Sequence, residues 1–529
     1  MVMTAKETGF GIADTVIFIG LLVIGSLIGI YYAIKDRNSK NTDNYNYGGR
    51  NMSPIPLGLS LSVTYVSALT IISQPTESYL YGLVTVWYSF GKIIPTVIAS
   101  LYFIPLLHKL KLQTIYQFLE YRFDKRIRKY ISAIGIIKMI LYMGFTVYVP
   151  ALALNAVTPI SLSWSVVLTS LVCTFYTTLG GMKAVVWTDT VQTVVMFFGG
   201  FAAMIKAIGL VGGLENVWEN AERGGRLNQW NFDPDPTMRR TVFTVFFGYT
   251  FLKCHTICCT QAAGQRFLSC KSIKDARIAA FTALLPVTAI TVVATLSGVV
   301  LFAFYEGCDP LKAGKISKAD QLIAHLVSEV FNDTPGMAGV FVSAAYCGTL
   351  STVSSGINSM GSLILEDFII PVKPTLSEIA KVTIGKTIAI LIGSLVALVA
   401  LLAPYMGKTV VSVVFSLDGI LGGPLFALFV LGMFFPWTNK AGAVIGHALG
   451  TAFVAWIAFS AKVYGIPPEK SSLLPTTTEN CTSDTALANW TTTVASTAHY
   501  SYSELEFNST TLMVDAEPVN TKWGQFRAY

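Results

Sequence analysis

The sequence predicts an all-α protein that crosses a membrane many times, and three observations predict it. Hydrophobic residues make up 53% of the chain and charged residues only 13%, far more apolar than a soluble domain of this length requires. The apolar residues fall into successive runs of about 20, the length that crosses a hydrocarbon core. Two of those runs carry polar residues at their centres. Segments this apolar must satisfy every backbone N–H and C=O internally, which leaves the helix as their element.

In chain order the runs cover 12–34, 56–81, 84–107, 130–155, 164–179, 188–210, 241–262, 278–304, 335–365, 382–403, 410–435 and 441–463, about twelve spans in all. The first is too long for a signal peptide and lacks a small-residue cleavage site, so it is expected to stay as a helix. The expected organisation is an outer N-terminus, first helix and basic loop over 1–55, then five helices over 56–210 and an outer loop over 211–240. Five more helices over 241–435, a final helix over 436–464 and a polar tail over 465–529 complete it.

Orientation follows from the short loops, because Lys and Arg resist translocation. Lys35, Arg37, Lys40 and Arg50 follow the first run; Lys109, Lys111, Arg122, Lys125, Arg126, Arg128 and Lys129 follow the third. Those loops face the cytoplasm, so an even number of spans puts both termini outside a plasma membrane. Sequons at Asn480, Asn489 and Asn508 agree with an extracellular, glycosylated tail, and Asn332 heads another in an outer loop; the sequon at Asn51 lies inside. The net charge of +7 belongs to the cytoplasmic face against anionic lipid and is no nucleic-acid footprint. Of the eight cysteines only Cys308 and Cys481 face outward, where they either pair or stand as two free thiols. Cys258 and Cys259 are adjacent, lack metal-ligand spacing and read as packing residues.

The stretch FVSAAYCGTLSTVSSGINSM over 341–360 is apolar enough to span yet carries Thr349, Ser351, Thr352, Ser354, Ser355, Asn358 and Ser359. Gly348, Ser351, Thr352 and Ser355 recur at helical spacing, so hydroxyls and a side-chain-free turn share one face. Such a face either wraps a small hard cation in oxygen or lets two membrane helices approach closely. The run 56–81 repeats the oddity, with Gly58, Ser60, Ser62, Thr64 and Ser67 ahead of an interruption at Pro75 and Glu77. Two polar-centred, broken helices in corresponding halves of a long chain point to a midplane site in a secondary transporter.

Several motifs stand in order along the chain: GGRNM at 48–52, PTESYLYG at 75–82, PALALNAVT at 150–158, TLGGMKAVVWTDTVQTVVMF at 178–197 and GGRLNQWNFDPDP at 224–236. QRFLSCKS at 265–272, CDPLKAGKISKADQL at 308–322, CGTLSTVSSGIN at 347–358 and GGPL at 422–425 follow. In these motifs the chain resembles the sodium/solute symporters, within the branch of sodium-coupled monocarboxylate, multivitamin and iodide transporters. The resemblance implies a core of two inverted five-helix repeats of the leucine-transporter type. It implies a sodium site on the backbone carbonyls of Val63, Val66 and Gly348 and the hydroxyls of Ser351 and Thr352, with sodium as coupling ion and no other cofactor. Asp189 and Gln192 match a position linked with sodium exit, although Asp189 also reads as an acid at a helix N-terminus. The substrate cavity would draw on Tyr65, Ser67, Thr70, Lys253, His255, Thr256, Gln261 and Asp418.

This chain departs from the branch in places. An Asn-Gln pair usually precedes the QR signature, whereas here Thr260, Gln261, Ala262, Ala263 and Gly264 stand. Lys253 and His255 lie in the same helix, and Asp418 precedes the GGP break where aromatic residues are common. A charge at mid-membrane costs ~2.5–3.5 kcal/mol on insertion scales, so Lys253 and Asp418 are expected to pair across the cavity. His255 is either a packed, water-bonded residue or a substrate ligand. Lys92 and Lys138 are intramembrane without an assigned partner, and snorkelling would bring Lys92 to an interface. Branch members continue into a further span after the glycosylated loop, which lies outside the ten-helix core.

The resemblance implies a symporter importing a small organic anion. The GGRLNQWNF and CDPLKAGKISKADQL loops favour a monocarboxylate such as lactate, pyruvate or a short-chain fatty acid; biotin, pantothenate or iodide are the alternatives. A sensor that binds sodium or solute without coupled uptake is the reading from a different class, and Lys253 with Asp418 would support it. A membrane enzyme finds no metal cluster, nucleophile–base pair or phosphate loop in the sequence.

Overall fold

A computed structural model describes residues 10–35, 41–158, 160–405, 410–465 and 468–481. Among them regular structure is helical, apart from one isolated bridge between Met52 and Cys270. The helices all fall in one unit, Met1–Asn480. Of the second unit, Cys481–Tyr529, only Cys481 is described.

Nine helices among the described residues are long and apolar enough to cross a bilayer, and one bent pair, counted as a single span, would be a tenth. The chain runs through α1 (Ile12–Lys35), the bent pair α2 (Pro54–Tyr65) and α3 (Leu69–Tyr81), α4 (Leu83–Lys109), α5 (Lys125–Val157) and α6 (Leu162–Val211). It continues through the short α7 (Gly248–Cys258) and α8 (Gln261–Ser269) to α9 (Ile273–Phe304), α10 (Met337–Ile364), α11 (Glu378–Leu402), α12 (Val410–Leu417), α13 (Gly423–Phe434) and α14 (Lys440–Tyr464). Side-chain caps mark several starts: Asp124, Ser272, Ser377 and Asn439 accept from the N–H groups of Arg126, Asp275, Ala380 and Gly442, donors that a helix start leaves without an intrahelical partner.

Three of the twelve expected runs look different in the fold. Runs 164–179 and 188–210 form a single 50-residue helix, α6, which is interrupted only at Gly181 (φ 58°, ψ −156°). A Cβ there would stand 2.7 Å from the Tyr45 carbonyl oxygen, so glycine makes the bend, and it falls between 179 and 188, where the apolar runs already part. Run 241–262 becomes a π-helical turn Phe243–Phe247 leading into α7, which ends at Cys258; α7 and α8 are each well short of the ~20 residues a crossing takes.

The core is built around α10, which is buried on every face from Phe341 to Leu363 and packs against α6, α5, α1 and α2. Both ends are pinned. Asp14 of α1 accepts the Gly339 N–H at 2.7 Å, and just beyond α10 Asp367 accepts from Thr114 and from the Arg128 guanidinium, each at 2.9 Å. Hydroxyls inside so dry an environment must find acceptors, and Ser354 and Ser359 bond back to carbonyls of their own helix at 3.1 and 3.0 Å. Large apolar side chains exposed along α1, α6, α11 and α14, among them Val23, Leu171, Leu391 and Trp456, form the lipid-facing surface.

Candidate cation and solute site

The break between α2 and α3 is where the fold brings the two polar segments together. The α2 ladder closes with the Val66 N–H on the Ser62 carbonyl at 3.1 Å, and Val66 itself is extended (φ −107°, ψ 110°). The chain then turns by 55° into α3. Carbonyls of the last turn, Val63 and Val66 among them, thus stand at a helix end inside the protein, where they lack following N–H groups. Gly348 of α10 sits directly on this break: a Cβ at that position would be 2.9 Å from both the Ala68 nitrogen and the Ser67 carbonyl carbon. Only a residue without a side chain permits that approach.

On the same face of α10, Thr352 donates to the Gly348 carbonyl at 2.8 Å, so two of the expected ligand oxygens already touch. The Ser351 hydroxyl is fully buried beside Asp189 and has no well-aligned hydrogen-bond partner among the described residues. Asp189 Oδ1 and Gln192 Oε1 are likewise buried and unpartnered among them. Buried oxygens left open in this way suit a hard cation, which takes oxygen ligands.

Asp189 is not at a helix N-terminus. It lies deep inside α6, beyond the reach of the terminal dipole, and its Oδ2 accepts from Ser60 at 2.5 Å and from Arg266 at 3.0 Å. Arg266, fully buried, also donates to Ser60 at 2.8 Å, to the Ala262 carbonyl at 3.0 Å and to Ser355. One guanidinium therefore ties α8 to α2, α6 and α10 around the break. The QR motif contained this residue without revealing its role; the signal was an arginine in a buried helix, which demands a carboxylate.

Next to the break lies a narrow cavity lined by Thr64, Tyr65, Tyr116, Gly135, Lys138, Met139, Tyr142, Lys253, His255, Thr256, Thr260, Gln261, Ala262, Thr352, Met360 and Asp418. About 60 Å³ of it admits the centre of a water molecule, enough for several waters. Of the residues expected here, Tyr65, Lys253, His255, Thr256, Gln261 and Asp418 line it; Ser67, in the break, and Thr70, in the first turn of α3, are outside the wall. Gln261 accepts the Ile115 N–H at 2.9 Å.

The expected Lys253–Asp418 pair does not form. Asp418 accepts from Lys138 at 2.7 Å, and the same ammonium lies 2.9 Å from His255 Nδ1. Lys138 reaches in from α5, and Asp418 opens the π-helical turn before α13; no spacing along the chain announces their meeting. Lys253 instead rests 5.0 Å from the Tyr249 ring centroid, with no carboxylate in ion-pair reach among the described residues. Lys92 does not snorkel: it is buried and donates to Thr291 at 2.6 Å.

Cys308 and Cys481 are each disulfide-bonded, and the six other cysteines are buried free thiols. Asn480 is exposed, while Asn489 and Asn508 lie outside the described residues.

A discontinuous helix faced by a hydroxyl-bearing one, beside a central cavity and within a shell of lipid-facing helices, is the arrangement of a secondary transporter. The sodium:solute symporter family model matches residues 45–450. Sodium-coupled monocarboxylate transporter 1 of Xenopus laevis is 38% identical over 494 residues, covering 93% of this chain and 79% of that protein. Sodium-coupled monocarboxylate transporter 2 of Bos taurus is 40% identical, covering 89% and 76%, and the sodium/iodide cotransporter of Homo sapiens is 36% identical, covering 90% and 75%. A substrate-bound, outward-open Na+-coupled sialic acid symporter shares the fold with a TM-score of 0.75 at 24% identity, over 86% of this chain and 98% of that one. The chain belongs to the sodium:solute symporter family.

Proposed function

We propose that this protein is a sodium-coupled symporter that imports a small monocarboxylate of the lactate and pyruvate class across the plasma membrane. The observation that carries the reading is the position of Thr352, which bonds the Gly348 carbonyl on the cation face and also lines the cavity. A solute in that cavity and a cation at the break would share one wall. Monocarboxylate rather than another anion is favoured by the relatives of Xenopus laevis and Bos taurus.

Sodium would sit among the carbonyls of Val63, Val66 and Gly348 and the hydroxyls of Ser351 and Thr352, leaving inward past Asp189 and Gln192. Its entry supplies the work, since one positive charge moving inward yields ~2.3 kcal/mol per 100 mV. The topology that fits has twelve crossings in two inverted five-helix repeats, 56–210 and 241–435: α6 counts as two crossings about Gly181, and α7 with α8 as one interrupted crossing. Both termini and the loop 211–240 then face outward, with glycans on Asn480, Asn489 and Asn508 and a bond between Cys308 and Cys481. No covalent chemistry is part of this function.

The test is uptake of radiolabelled lactate, pyruvate, nicotinate, biotin, pantothenate and iodide by cells expressing the chain, in sodium and in choline. Sodium-dependent uptake of lactate and pyruvate is expected. Uptake confined to biotin and pantothenate, or to iodide, would replace the substrate assignment; sodium or solute binding without uptake would make the protein a sensor.

A further inference from the structure

The cavity wall is built from donors, and the reason lies in one lysine. An ammonium has three protons and no lone pair, so His255 Nδ1, 2.9 Å from Lys138, must be the acceptor in that contact. The His255 ring is then neutral and carries its proton on Nε2, an atom that is buried and without a partner among the described residues. Gln261 is turned in the same sense: its carbonyl oxygen is taken by the Ile115 N–H, and its buried amide nitrogen has no partner among them. The Tyr65 hydroxyl is in the same state. All three residues line one cavity.

The charges point the same way. Lys138 and Asp418 cancel in a 2.7 Å ion pair, which uses the one carboxylate of the wall. Lys253 has none. It lines the cavity with its ammonium 5.0 Å from the Tyr249 ring centroid, and a second buried lysine, Lys92, flanks the same ring, at 5.9 Å from the centroid. A wall with one uncompensated positive charge and a set of open N–H and O–H groups complements a ligand that is singly negative and rich in acceptors.

We infer that Lys253 and His255 Nε2–H hold the carboxylate of the transported anion, and that Lys138 and Asp418 act one step behind them by fixing the tautomer of His255. The inference rests on the reading that this cavity takes the solute, and it names the groups that select its charge. Lys253 and His255 are binding residues; Lys138 and Asp418 are positioning residues.

The experiment is competition at saturating sodium between labelled lactate and either unlabelled lactate or lactamide, its neutral isostere, with surface protein quantified by biotinylation. Lys253→Met should raise the lactate KM by about 10- to 100-fold, the range for losing a charge-assisted hydrogen bond, and erase most of the preference for lactate over lactamide. A merely structural lysine would weaken both ligands alike. Should that variant not reach the surface, Lys253→Gln is read in the same way. His255→Gln, which keeps an N–H donor, should transport better than His255→Phe. Replacing the pair together, Lys138→Met with Asp418→Leu, should raise the lactate KM without moving the sodium half-saturation. Absence of sodium-dependent lactate uptake by the unaltered protein would overturn both the functional reading and the clamp. Normal uptake by the unaltered protein, with Lys253→Met keeping both KM and the lactate preference within about twofold, would overturn the clamp alone.

Discussion

A buried hydroxyl left without a partner costs up to about 1–3 kcal/mol, and Ser351, beside Asp189 but without a well-aligned hydrogen bond among the described residues, stands where a cation would relieve part of it. Ser351→Ala should therefore separate stability from function. The variant should reach the surface and melt at or slightly above the temperature of the unaltered protein, while its sodium half-saturation rises about 10-fold for one lost charge-assisted contact. Sodium titrations of uptake, paired with thermal melts in detergent, check both halves. Lys138 and Asp418 give the opposite signature. Removing either alone leaves a buried, uncompensated charge at about 3–5 kcal/mol, whereas Lys138→Met with Asp418→Leu leaves an apolar wall. Surface expression should fall sharply in each single variant and recover in the double one, a non-additivity that a double-mutant cycle measures. At this scale the sequence announced the residue types and not their partners. Lys253, Asp418 and Lys138 each declared themselves as charges in apolar runs, but partner choice depends on how α5 and the turn before α13 are rotated against α7, and composition carries no record of rotation.

Elements were legible wherever a local physical rule fixes them. Gly348, Ser351, Thr352 and Ser355 lie on one face because helical spacing requires it, and the polar middle of 56–81 marks a helix that does break, but at Val66 to Ala68 and not at Pro75 and Glu77, which stay helical in α3; the second polar segment, 341–360, lies in α10 without the expected break. Illegible was the early end of α7 at Cys258, short of the run 241–262 that the apolar count gives. Gly348 shows how closely backbone contacts are drawn. A methyl group there would meet backbone of the break, the Ala68 nitrogen and the Ser67 carbonyl carbon, both at 2.9 Å, and backbone in a buried turn cannot swing aside as a flexible side chain can. Gly348→Ala should cost about 1–3 kcal/mol of overpacking and push α10 off the break. The expected outcome is protein at the surface with transport reduced far more than expression, and Gly348→Val losing both. Uptake normalised to surface biotinylation distinguishes this from a glycine needed only for folding.

At the scale of the whole molecule the question is what makes one solute wait for one ion. Linkage requires that sodium raise solute affinity by the same factor that solute raises sodium affinity. A shared wall supplies a physical route for such coupling, and in this structure it passes through Thr352, on the cation face and in the cavity lining at once, with Thr64 and Tyr65 on the facing helix end. Ser351 lines no part of the cavity, so the two hydroxyls should behave differently although they are neighbours on one helix. Ser351→Ala should shift the sodium half-saturation while the ratio of solute KM at low and high sodium stays as it was. Thr352→Ala should shrink that ratio toward one as well, because the group that reports the ion to the solute is gone. Measuring the lactate KM across a series of sodium concentrations, and the sodium half-saturation across a series of lactate concentrations, gives the coupling factor twice. Agreement of the two factors in each protein, with a loss confined to Thr352→Ala, is the expected result; equal losses in both variants would place the coupling in the ion site as a whole and not in the wall it shares with the cavity.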